Sequence, residues 1–335
     1  MLKKCIIPAM RVSVAIPAYN EETVLPELLR RVGKVLDSIP GGPHEIIVVN
    51  DGSADRTGEI LRKASQDDAR IAGIVFSRNF GHQAALAAAL DHAAGDVVIM
   101  MDGDLQDPPE IIPQFLGKYA EGNDVVYARR VGRKEAWWLR LCYHTFYRLL
   151  GRLSGTELPL DAGDFGLMSR RVVDEIRRMP EPHRYLRGLR SWVGFRQAGI
   201  PVERAQRYAG EPKYNLTKLF KLAADAIFSF SVVPLRFAAI VGMGAICLCG
   251  IYTLYALYIK LIHGETPQGF TALIVSITFL AGVQLFFMGI VGEYVGRLFE
   301  ASKSRPLYII ADKFGGLRGA PSVAQPRPAG EAVRL

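Results

Sequence analysis

The stretch Val97-Val-Ile-Met-Met-Asp-Gly-Asp-Leu-Gln106 decides the fold. Its first five residues form a continuous apolar run, which is typical of a strand buried on both faces of a sheet. Asp102 and Asp104 follow at once. Carboxylate oxygens at the end of a rigid strand suit a hard divalent cation that a substrate diphosphate helps to hold, so we expect a Mg²⁺ or Mn²⁺ site here. The open alternative is a solvated turn in which the aspartates cap a helix.

Similar short apolar runs recur through the first part of the chain. They span residues 12–16, 45–49, 71–76, 96–101 and 124–128, and helical stretches such as 22–37 and 82–94 separate them. Strands that alternate with helices in this way predict an α/β domain with a largely parallel sheet. Ligands bind such sheets at the carboxyl ends of the strands. The polar clusters fall at those ends, at residues 17–21, 50–55, 77–81 and 102–107.

Asp51 belongs to one of these clusters and directly follows the second predicted strand. Its carboxylate could accept a hydrogen bond from the N–H of a nucleotide base. The alternative is turn and capping chemistry, in which Gly52 and Ser53 form a bend and Asp55 caps the next helix, and both can hold together. The sequence contains no G-x-G-x-x-G turn and no Walker-type lysine loop, which argues against a dinucleotide oxidoreductase or a P-loop enzyme.

Residues 232–296 have the composition of a membrane segment. These 65 residues carry only four charges, Arg236, Lys260, Glu265 and Glu293. Within them, residues 237–259 and 270–291 are apolar runs of 23 and 22 residues. A helix needs about 20 apolar residues to cross the hydrocarbon core, so we expect two transmembrane helices. Two buried helices of a soluble protein are the alternative.

The charges outside this hairpin indicate its orientation. Lys218 and Lys221 precede the hairpin and Arg297 and Lys303 follow it, so the positive-inside tendency places both flanks in the cytoplasm. We expect a multi-pass protein of the inner (plasma) membrane whose large N-terminal domain lies in the cytoplasm. The net charge of +8 suits anionic lipid surfaces and phosphorylated ligands. We expect no nucleic-acid partner, because the sequence has no recognition element for one.

Two further segments have the pattern of helices that lie in the headgroup region. Basic residues recur at every fourth position in the first segment, at Arg140, His144, Arg148 and Arg152, among bulky apolar side chains. Such spacing predicts one basic stripe on an amphipathic helix. An ordinary helix with a solvated charged face is the alternative. Residues 216–231 predict a second, juxtamembrane amphipathic helix.

Several motifs in this order resemble glycosyltransferase family 2. They are Pro17-Ala-Tyr-Asn-Glu21, Val49-Asn-Asp-Gly-Ser53, Ser77-Arg-Asn-Phe-Gly81, Asp102-Gly-Asp-Leu-Gln106 and Asp164-Phe-Gly-Leu-Met-Ser-Arg170. Together with Gly210-Glu-Pro-Lys-Tyr214, the hairpin and Arg305-Pro-Leu-Tyr-Ile309, they are similar to the polyprenyl-phosphate glycosyltransferases. This group includes dolichol-phosphate mannosyltransferases and bactoprenol glucosyltransferases. The resemblance covers about residues 11–311.

The resemblance implies a Rossmann-like glycosyltransferase A-type catalytic domain, interfacial amphipathic helices and a C-terminal transmembrane hairpin. It also implies an inverting, metal-dependent transfer from a nucleotide sugar, with UDP-glucose preferred, to undecaprenyl phosphate on the cytoplasmic leaflet. GDP-mannose and UDP-amino sugars are alternative donors, and a non-catalytic membrane partner subunit is the alternative function. A processive polysaccharide synthase is disfavoured, because the sequence has no Q-x-x-R-W-type motif. A homo-oligomer and a flippase partner are open alternatives.

The resemblance also implies roles for individual residues. The predicted nucleotide-sugar residues are Pro17, Tyr19, Glu21, Asp51, Arg78 and Asp102. Asp104 and Gln106 would hold the metal with help from Asp102. Asp104 and Asp164 would be catalytic, with Asp164 facing the reacting centre as a base or as an orienting group. The alternative for Asp164 is a cap or a structural partner of Arg170 or Arg171.

The sequence departs from the family pattern at two positions. Asn50 stands where many members have aspartate, and Gly166 stands where we expect an arginine. We therefore expect Arg129, Arg133 and Lys213 to bind the acceptor phosphate instead. If the site can accommodate the side chain, Gly166→Arg is expected to rescue Arg129→Ala or Lys213→Ala in part.

These observations predict four regions. Residues 1–215 form a cytoplasmic glycosyltransferase domain, 216–231 the juxtamembrane helix, and 232–298 the two transmembrane helices. Residues 299–335 form a cytoplasmic tail that is disordered from about residue 315, because it is rich in Gly, Pro, Ala and Arg.

Overall fold

The structure, a computed structural model, describes residues 8–131, 162–179, 181, 184–203, 233–263, 269–303 and 305–316. These residues form two compact units. The first unit contains the sheet and its helices, and it includes residues 305–316 at the far end of the chain. The second unit contains two long helices.

The first unit begins with alternating strands and helices, as predicted. Its elements up to the fifth strand are β1 (Val12–Ala18), α1 (Leu25–Asp37), β2 (Glu45–Asn50), α2 (Thr57–Asp67), β3 (Ile71–Phe76), α3 (His82–His92), β4 (Val97–Met100), a short 3₁₀ helix (Pro109–Ile111), α4 (Ile112–Ala120) and β5 (Val125–Val131). The later elements are β6 (Ala162–Ser169), α5 (Arg170–Arg178), α6 (Leu186–Trp192), β7 (Gln197–Glu203) and β8 (Ile310–Gly315).

The described strands form one mixed sheet in the order β7-β5-β6-β4-β1-β2-β3-β8. The central strands β4, β1, β2 and β3 are parallel, which confirms the predicted α/β class. Every residue of β1, β2 and β4 is buried, because helices cover both faces of the sheet. The structure adds β6, which no sequence pattern predicted and which lies antiparallel between β4 and β5.

The register of the central strands determines which loops meet. Val12 of β1 pairs with Val97 of β4, and Ala18 at the end of β1 pairs with Asn50 at the end of β2. In the antiparallel direction, Met100 pairs with Gly166 of β6. The same register, continued by two residues, brings the segment around Asp102 level with Asp164. The polar clusters that follow β1, β2 and β4 therefore share one edge of the sheet with the acidic motif of β6.

The sequence predicts a tail over residues 299–335, but residues 310–315 of this segment belong to the sheet. β8 pairs antiparallel with β3 at the edge of the sheet. Phe314 of β8 lies over Gly73 of β3, where an added Cβ would come within 2.2 Å of the Phe314 ring. Only glycine at position 73 leaves room for the Phe314 ring, so this residue of β3 is suited to pairing with β8.

The boundaries of the four regions predicted from the sequence stay a prediction.

The second unit contains α7 (Val233–His263) and α8 (Phe270–Ser302). Both predicted apolar runs fall within these helices. Within the described residues, two helical segments are long and apolar enough to cross a membrane, Phe237–Ile262 and Phe279–Glu300, and neither is buried. Large apolar side chains such as Leu248 and Phe279 are exposed, which is expected of helices that face lipid. The predicted helices at 140–152 and 216–231 lie outside the described residues.

Candidate active site

Asp51 caps the loop that follows β3. Its backbone N–H donates to the carbonyl of Ala18 at 2.9 Å, and its carboxylate accepts the backbone N–H groups of Phe80 at 2.7 Å and Gly81 at 2.9 Å. Burial raises the pKa of Asp51, although these two N–H groups act in the opposite direction. The structure therefore shows a capping role for Asp51, and its contact with a nucleotide base stays a prediction.

The predicted nucleotide residues of β1 adjoin the loop after β2. The backbone N–H of Asn20 donates to Ser53 Oγ at 3.0 Å, and the Asn20 side chain accepts the N–H of Ala54 at 2.9 Å. The backbone N–H of Glu21 donates to Thr57 Oγ1 at 2.9 Å. These contacts join residues 17–21 to residues 50–57. Pro17 is buried in β1 and Tyr19 is 49% exposed, so this loop presents an aromatic ring to solvent.

Asn50 and Arg78 complete this part of the edge. Asn50 Oδ1 accepts the N–H of Ser53 at 2.9 Å, so an amide serves the turn as well as the expected carboxylate would. The exposed Arg78 guanidinium lies 4.0 Å from the centre of the Phe80 ring, within the range of a cation–π contact. Arg78 therefore lies next to the residue whose N–H binds Asp51.

The predicted metal residues lie in the turn after β4. The N–H of Gln106 donates to Asp104 Oδ1 at 3.2 Å, and Leu105 between them has a positive φ of 56°. The described residues contain no group of three or more His, Cys, Asp or Glu side chains that could hold a metal. Two carboxylates and an amide oxygen are hard donors that fit Mg²⁺ or Mn²⁺ when a substrate diphosphate supplies further ligands. The oxygen atoms of Asp102, Asp104 and Gln106 therefore fit the expected cation, provided that a diphosphate completes its coordination.

Asp164 faces two basic side chains that no sequence motif indicates, Arg187 and His82. Arg187, on α6, donates two parallel hydrogen bonds to its carboxylate, from Nε at 3.2 Å and from a terminal nitrogen at 3.0 Å. His82, at the start of α3, places Nε2 3.8 Å from Asp164 and 3.5 Å from Asp102. His82 therefore bridges the acidic motif of β6 and the metal motif of β4. Arg170 and Arg171 bind elsewhere, to the carbonyl of Gly95 and to Asp124.

The charges in this cluster shift one another's pKa values. Burial alone would raise the pKa of Asp164, but His82 and Arg187 outweigh it and hold that pKa well below its usual range. Desolvation alone would lower the pKa of His82, but Asp164 and Asp102 raise it above its ordinary value. Asp164 is therefore ionised across the physiological pH range.

Gly166 has no room for the arginine that the family pattern places there. An added Cβ would lie 2.6 Å from the carbonyl oxygen of Val126 and 3.0 Å from Cα of Tyr127. It would also lie 3.4 Å from Nη1 of Arg190, whose side chain is fully buried. The site therefore does not accommodate an arginine at position 166, and the condition set for the expected rescue is not met.

Arg190 is a buried cation beside the same strand. It donates to the carbonyl of Gly163 at 3.1 Å and lies 5.3 Å from the centre of the Tyr127 ring. Burial lowers its pKa to about 10. At neutral pH it is therefore charged, and it adds positive charge on the side of β6 where Asp164 lies.

Of the three predicted acceptor residues, the structure describes only Arg129. Arg129 is exposed in β5 and lies in register with Ala162 of β6. Arg133 and Lys213 lie outside the described residues. His82, Arg187 and Arg190 were missed, although His82 directly follows a motif that the resemblance quotes and the two arginines share one helix at a spacing of three.

The chain matches two family models. Residues 13–177 match "Glycosyl transferase family 2", and residues 233–298 match "GtrB C-terminal hairpin". The uncharacterized glycosyltransferase YkcC of Bacillus subtilis (strain 168) is 43% identical over 304 residues, which cover 90% of this chain and 94% of the relative. The bactoprenol glucosyl transferase of Shigella phage SfV is 39% identical over 305 residues, which cover 91% of this chain and 99% of the relative.

A solved structure also matches most of the chain. It is the mannosyltransferase PcManGT from Pyrobaculum calidifontis in complex with GDP-Man and Mn²⁺. Its identity to this chain is 18%, its TM-score is 0.48, and the match covers 89% of this chain and 87% of that one.

Proposed function

Because this chain belongs to glycosyl transferase family 2, we propose that it transfers the sugar of a nucleotide sugar to the phosphate of a polyprenyl phosphate. It is a glycosyltransferase with the A-type α/β fold, and a GtrB-type hairpin follows the catalytic domain. The hairpin is the observation that carries the proposal. It adds two lipid-compatible helices to the transferase chain, which suits an enzyme whose acceptor is a membrane lipid.

UDP-glucose is the proposed donor and undecaprenyl phosphate the proposed acceptor. Relatives at 39% identity are named bactoprenol glucosyl transferase, which supports a glucosyl group and a bactoprenol lipid. GDP-mannose and UDP-amino sugars are the alternative donors. A non-catalytic subunit is disfavoured, since the chain retains Glu21 and Asp51 together with the three candidate metal residues, Asp102, Asp104 and Gln106.

A divalent cation is proposed at Asp104 and Gln106, with Asp102 in support. Their oxygen atoms are the donors that Mg²⁺ and Mn²⁺ prefer. When bound, such a cation would offset the negative charge of the nucleoside diphosphate as it leaves. The positive φ at Leu105 turns the chain so that Asp104 and Gln106 lie on one short bend.

The acceptor phosphate supplies the nucleophile. Its second pKa is about 6, so near pH 7 it is mostly a dianion and needs little help from a base. One phosphate oxygen bonds to the anomeric carbon from the face opposite the diphosphate, and the carbon–oxygen bond to the diphosphate breaks. This displacement inverts the anomeric centre.

Asp164 is proposed to act as an ionised group and not as a base. Arg187 and His82 hold its carboxylate in the charged form, and a carboxylate with a lowered pKa is a weak proton acceptor. A fixed negative charge at this place can orient the sugar and stabilise positive charge at the anomeric carbon. We therefore propose an electrostatic role for Asp164 in the transfer.

The acceptor phosphate is proposed to bind Arg129, Arg133 and Lys213. Arg129 is exposed on β5, one strand away from Asp164 on β6. Arg133 follows that strand, and Lys213 precedes the hairpin in the sequence. Positive charge that follows β5 and positive charge that precedes the membrane hairpin would both suit a phosphate carried by a membrane lipid.

The proposed orientation places the catalytic domain in the cytoplasm, at the inner membrane. A reporter fused after Leu335 should then report the cytoplasm, and one inserted near Gly264 should report the opposite side. The reverse pattern would separate the site from cytoplasmic nucleotide sugars and contradict the orientation.

One experiment tests the proposed function. Purified protein is incubated with Mn²⁺, undecaprenyl phosphate and one nucleotide sugar at a time. The molecular mass of the lipid product is then measured by mass spectrometry. UDP-glucose should add one hexose to the lipid. A product with another donor only would correct the sugar, and no glycosylated lipid with any donor would contradict the proposal.

A further inference from the structure

Residues 307–315, here called the strap, follow α8 and return to the catalytic sheet. Their last six residues form β8, which pairs with β3 from Ala72 to Phe76. The strap belongs to the first unit although the two long helices separate it from the rest of that unit in sequence. The proposed reaction does not account for it.

The distal end of the strap is held on the sheet away from the candidate site. Phe314 lies against Gly73, and the Arg62 guanidinium lies 4.5 Å from the centre of the Phe314 ring. Lys313 Nζ lies 2.8 Å from His92 Nε2 at the end of α3. These contacts stabilise β8 but involve none of the residues assigned to substrates.

The proximal end contacts the start of the loop that contains Arg78. The N–H of Ser77 donates to the carbonyl of Ile309 at 3.0 Å. The Tyr308 ring stacks on Phe76 with ring centres 5.1 Å apart, and the Tyr308 hydroxyl donates to Asp91 at 2.8 Å. These three contacts therefore hold the proximal end of the strap against the end of β3 and against α3.

A row of aromatic rings continues from this point into the site. Phe76 meets Phe80 edge to face, with ring centres 5.6 Å apart. Phe80 in turn donates its N–H to Asp51 and carries the Arg78 guanidinium over its ring. The row Tyr308–Phe76–Phe80 thus connects the strap to both Asp51 and Arg78.

We propose that the strap positions the nucleotide-sugar site, with Tyr308 as a positioning residue that keeps residues 77–81 in the conformation that binds the donor. A loop that is already held in its bound conformation loses less conformational entropy when the donor binds. Holding residues 77–81 in place therefore increases the affinity for the donor. The nucleotide-sugar part of this inference rests on the proposed function, whereas the fixation of residues 77–81 does not.

Hydrogen–deuterium exchange of the full-length protein in detergent tests the fixation without any substrate. Tyr308→Ala should accelerate amide exchange in peptides that contain residues 77–81. The matched control is Phe314→Ala, which removes an aromatic ring from the distal end of the same strap and should leave exchange in those peptides unchanged. Equal exchange in the wild type and Tyr308→Ala would overturn the proposal, and so would equal acceleration in both variants.

Donor kinetics provide the second measurement. Tyr308→Ala should raise the KM for UDP-glucose about tenfold with kcat within about twofold, while Phe314→Ala leaves the KM unchanged. Tyr308→Phe keeps the ring and removes only the hydroxyl, so it should give a smaller rise and stays measurable if the alanine variant does not fold. An unchanged donor KM in both Tyr308 variants would overturn the role in donor binding. If the wild type transfers no sugar, the proposed function fails and the exchange measurement still decides the fixation.

Discussion

Asp51 and Asp164 lie in the same site and are held in opposite ways. Asp51 follows a parallel strand, and two backbone N–H groups bind its carboxylate. Asp164 lies in an antiparallel strand, and the side chains of Arg187 and His82 face it. Burial raises the pKa of Asp51, whereas the two basic side chains lower the pKa of Asp164 against the effect of burial.

This difference matches the two tasks proposed for the two halves of the candidate site. Backbone N–H groups fix the geometry of a loop, so the half around Asp51 is suited to binding the donor. Full opposite charges keep a carboxylate ionised, so the half around Asp164 is suited to opposing charge that develops during transfer. The following predictions test that separation, beginning with the largest expected effect.

The first prediction concerns the proposed metal, which would act in the donor half of the site. Asp104→Ala should lower kcat by about 10³-fold or more, because the cation would no longer offset the charge of the leaving diphosphate. The melting temperature should change little, since Asp104 lies in a turn after β4. Single-turnover assays and thermal melts measure both effects. Full activity in excess EDTA would contradict the metal assignment.

The second prediction separates the two carboxylates directly. Asp164→Asn should lower kcat about 10²- to 10³-fold with the donor KM nearly unchanged, because it removes a charge that acts on the transition state. Asp51→Asn should instead raise the donor KM, since it disturbs the loop that contains Arg78. Steady-state kinetics with UDP-glucose distinguish the two. If both variants changed the same parameter, the two halves would not have separate tasks.

The third prediction concerns the acceptor. Arg129→Ala should raise the KM for polyprenyl phosphate by about 10- to 150-fold, because one charge-assisted phosphate contact contributes about 1.5 to 3 kcal/mol. Calorimetry should show unchanged donor affinity in this variant. A loss of donor affinity in proportion to activity would place Arg129 with the diphosphate and refute the acceptor assignment.

The fourth and smallest effect is on stability. A raised folded-state pKa means that the contribution of Asp51 is present below its ordinary pKa of 3.8 and is lost as pH rises through the raised value. A lowered pKa means that the contribution of Asp164 is present above 3.8 and is lost as pH falls through the lowered value. From about pH 3 to about pH 6, the cost of Asp51→Asn should therefore shrink and that of Asp164→Asn should grow. Thermal melts over this range measure both costs, and parallel trends would disprove the opposite shifts.

The same comparison explains which features the sequence could predict. The strands β1 to β4 and their polar loops are local patterns, since an apolar run and the polar residues that end it are neighbours in sequence. β6 was missed because glycines interrupt its pattern, and β8 because its residues alternate between half-buried and exposed at a sheet edge.

The partners of Asp164 come from distant parts of the chain. Arg187 lies 23 residues after it, and His82 belongs to a helix on the other side of β4. No local periodicity predicts such pairs, because tertiary packing brings them together. The candidate metal and nucleotide residues lie within short motifs, so the family resemblance could suggest a role for each of them. Those roles stay predictions.

The central claim, that Asp164 acts as a fixed charge while the acceptor phosphate is the nucleophile, is tested most directly by the pH dependence of kcat/KM for polyprenyl phosphate. The rate should rise with pH through a limb near pH 6, where the phosphate becomes a dianion. Any fall in the rate should come at the higher pH at which His82, whose pKa is raised by Asp164 and Asp102, loses its proton. Asp164→Asn should lower the whole profile and leave the limb at the same pH. A limb that disappears in Asp164→Asn would show that Asp164 removes a proton during transfer and would contradict the account.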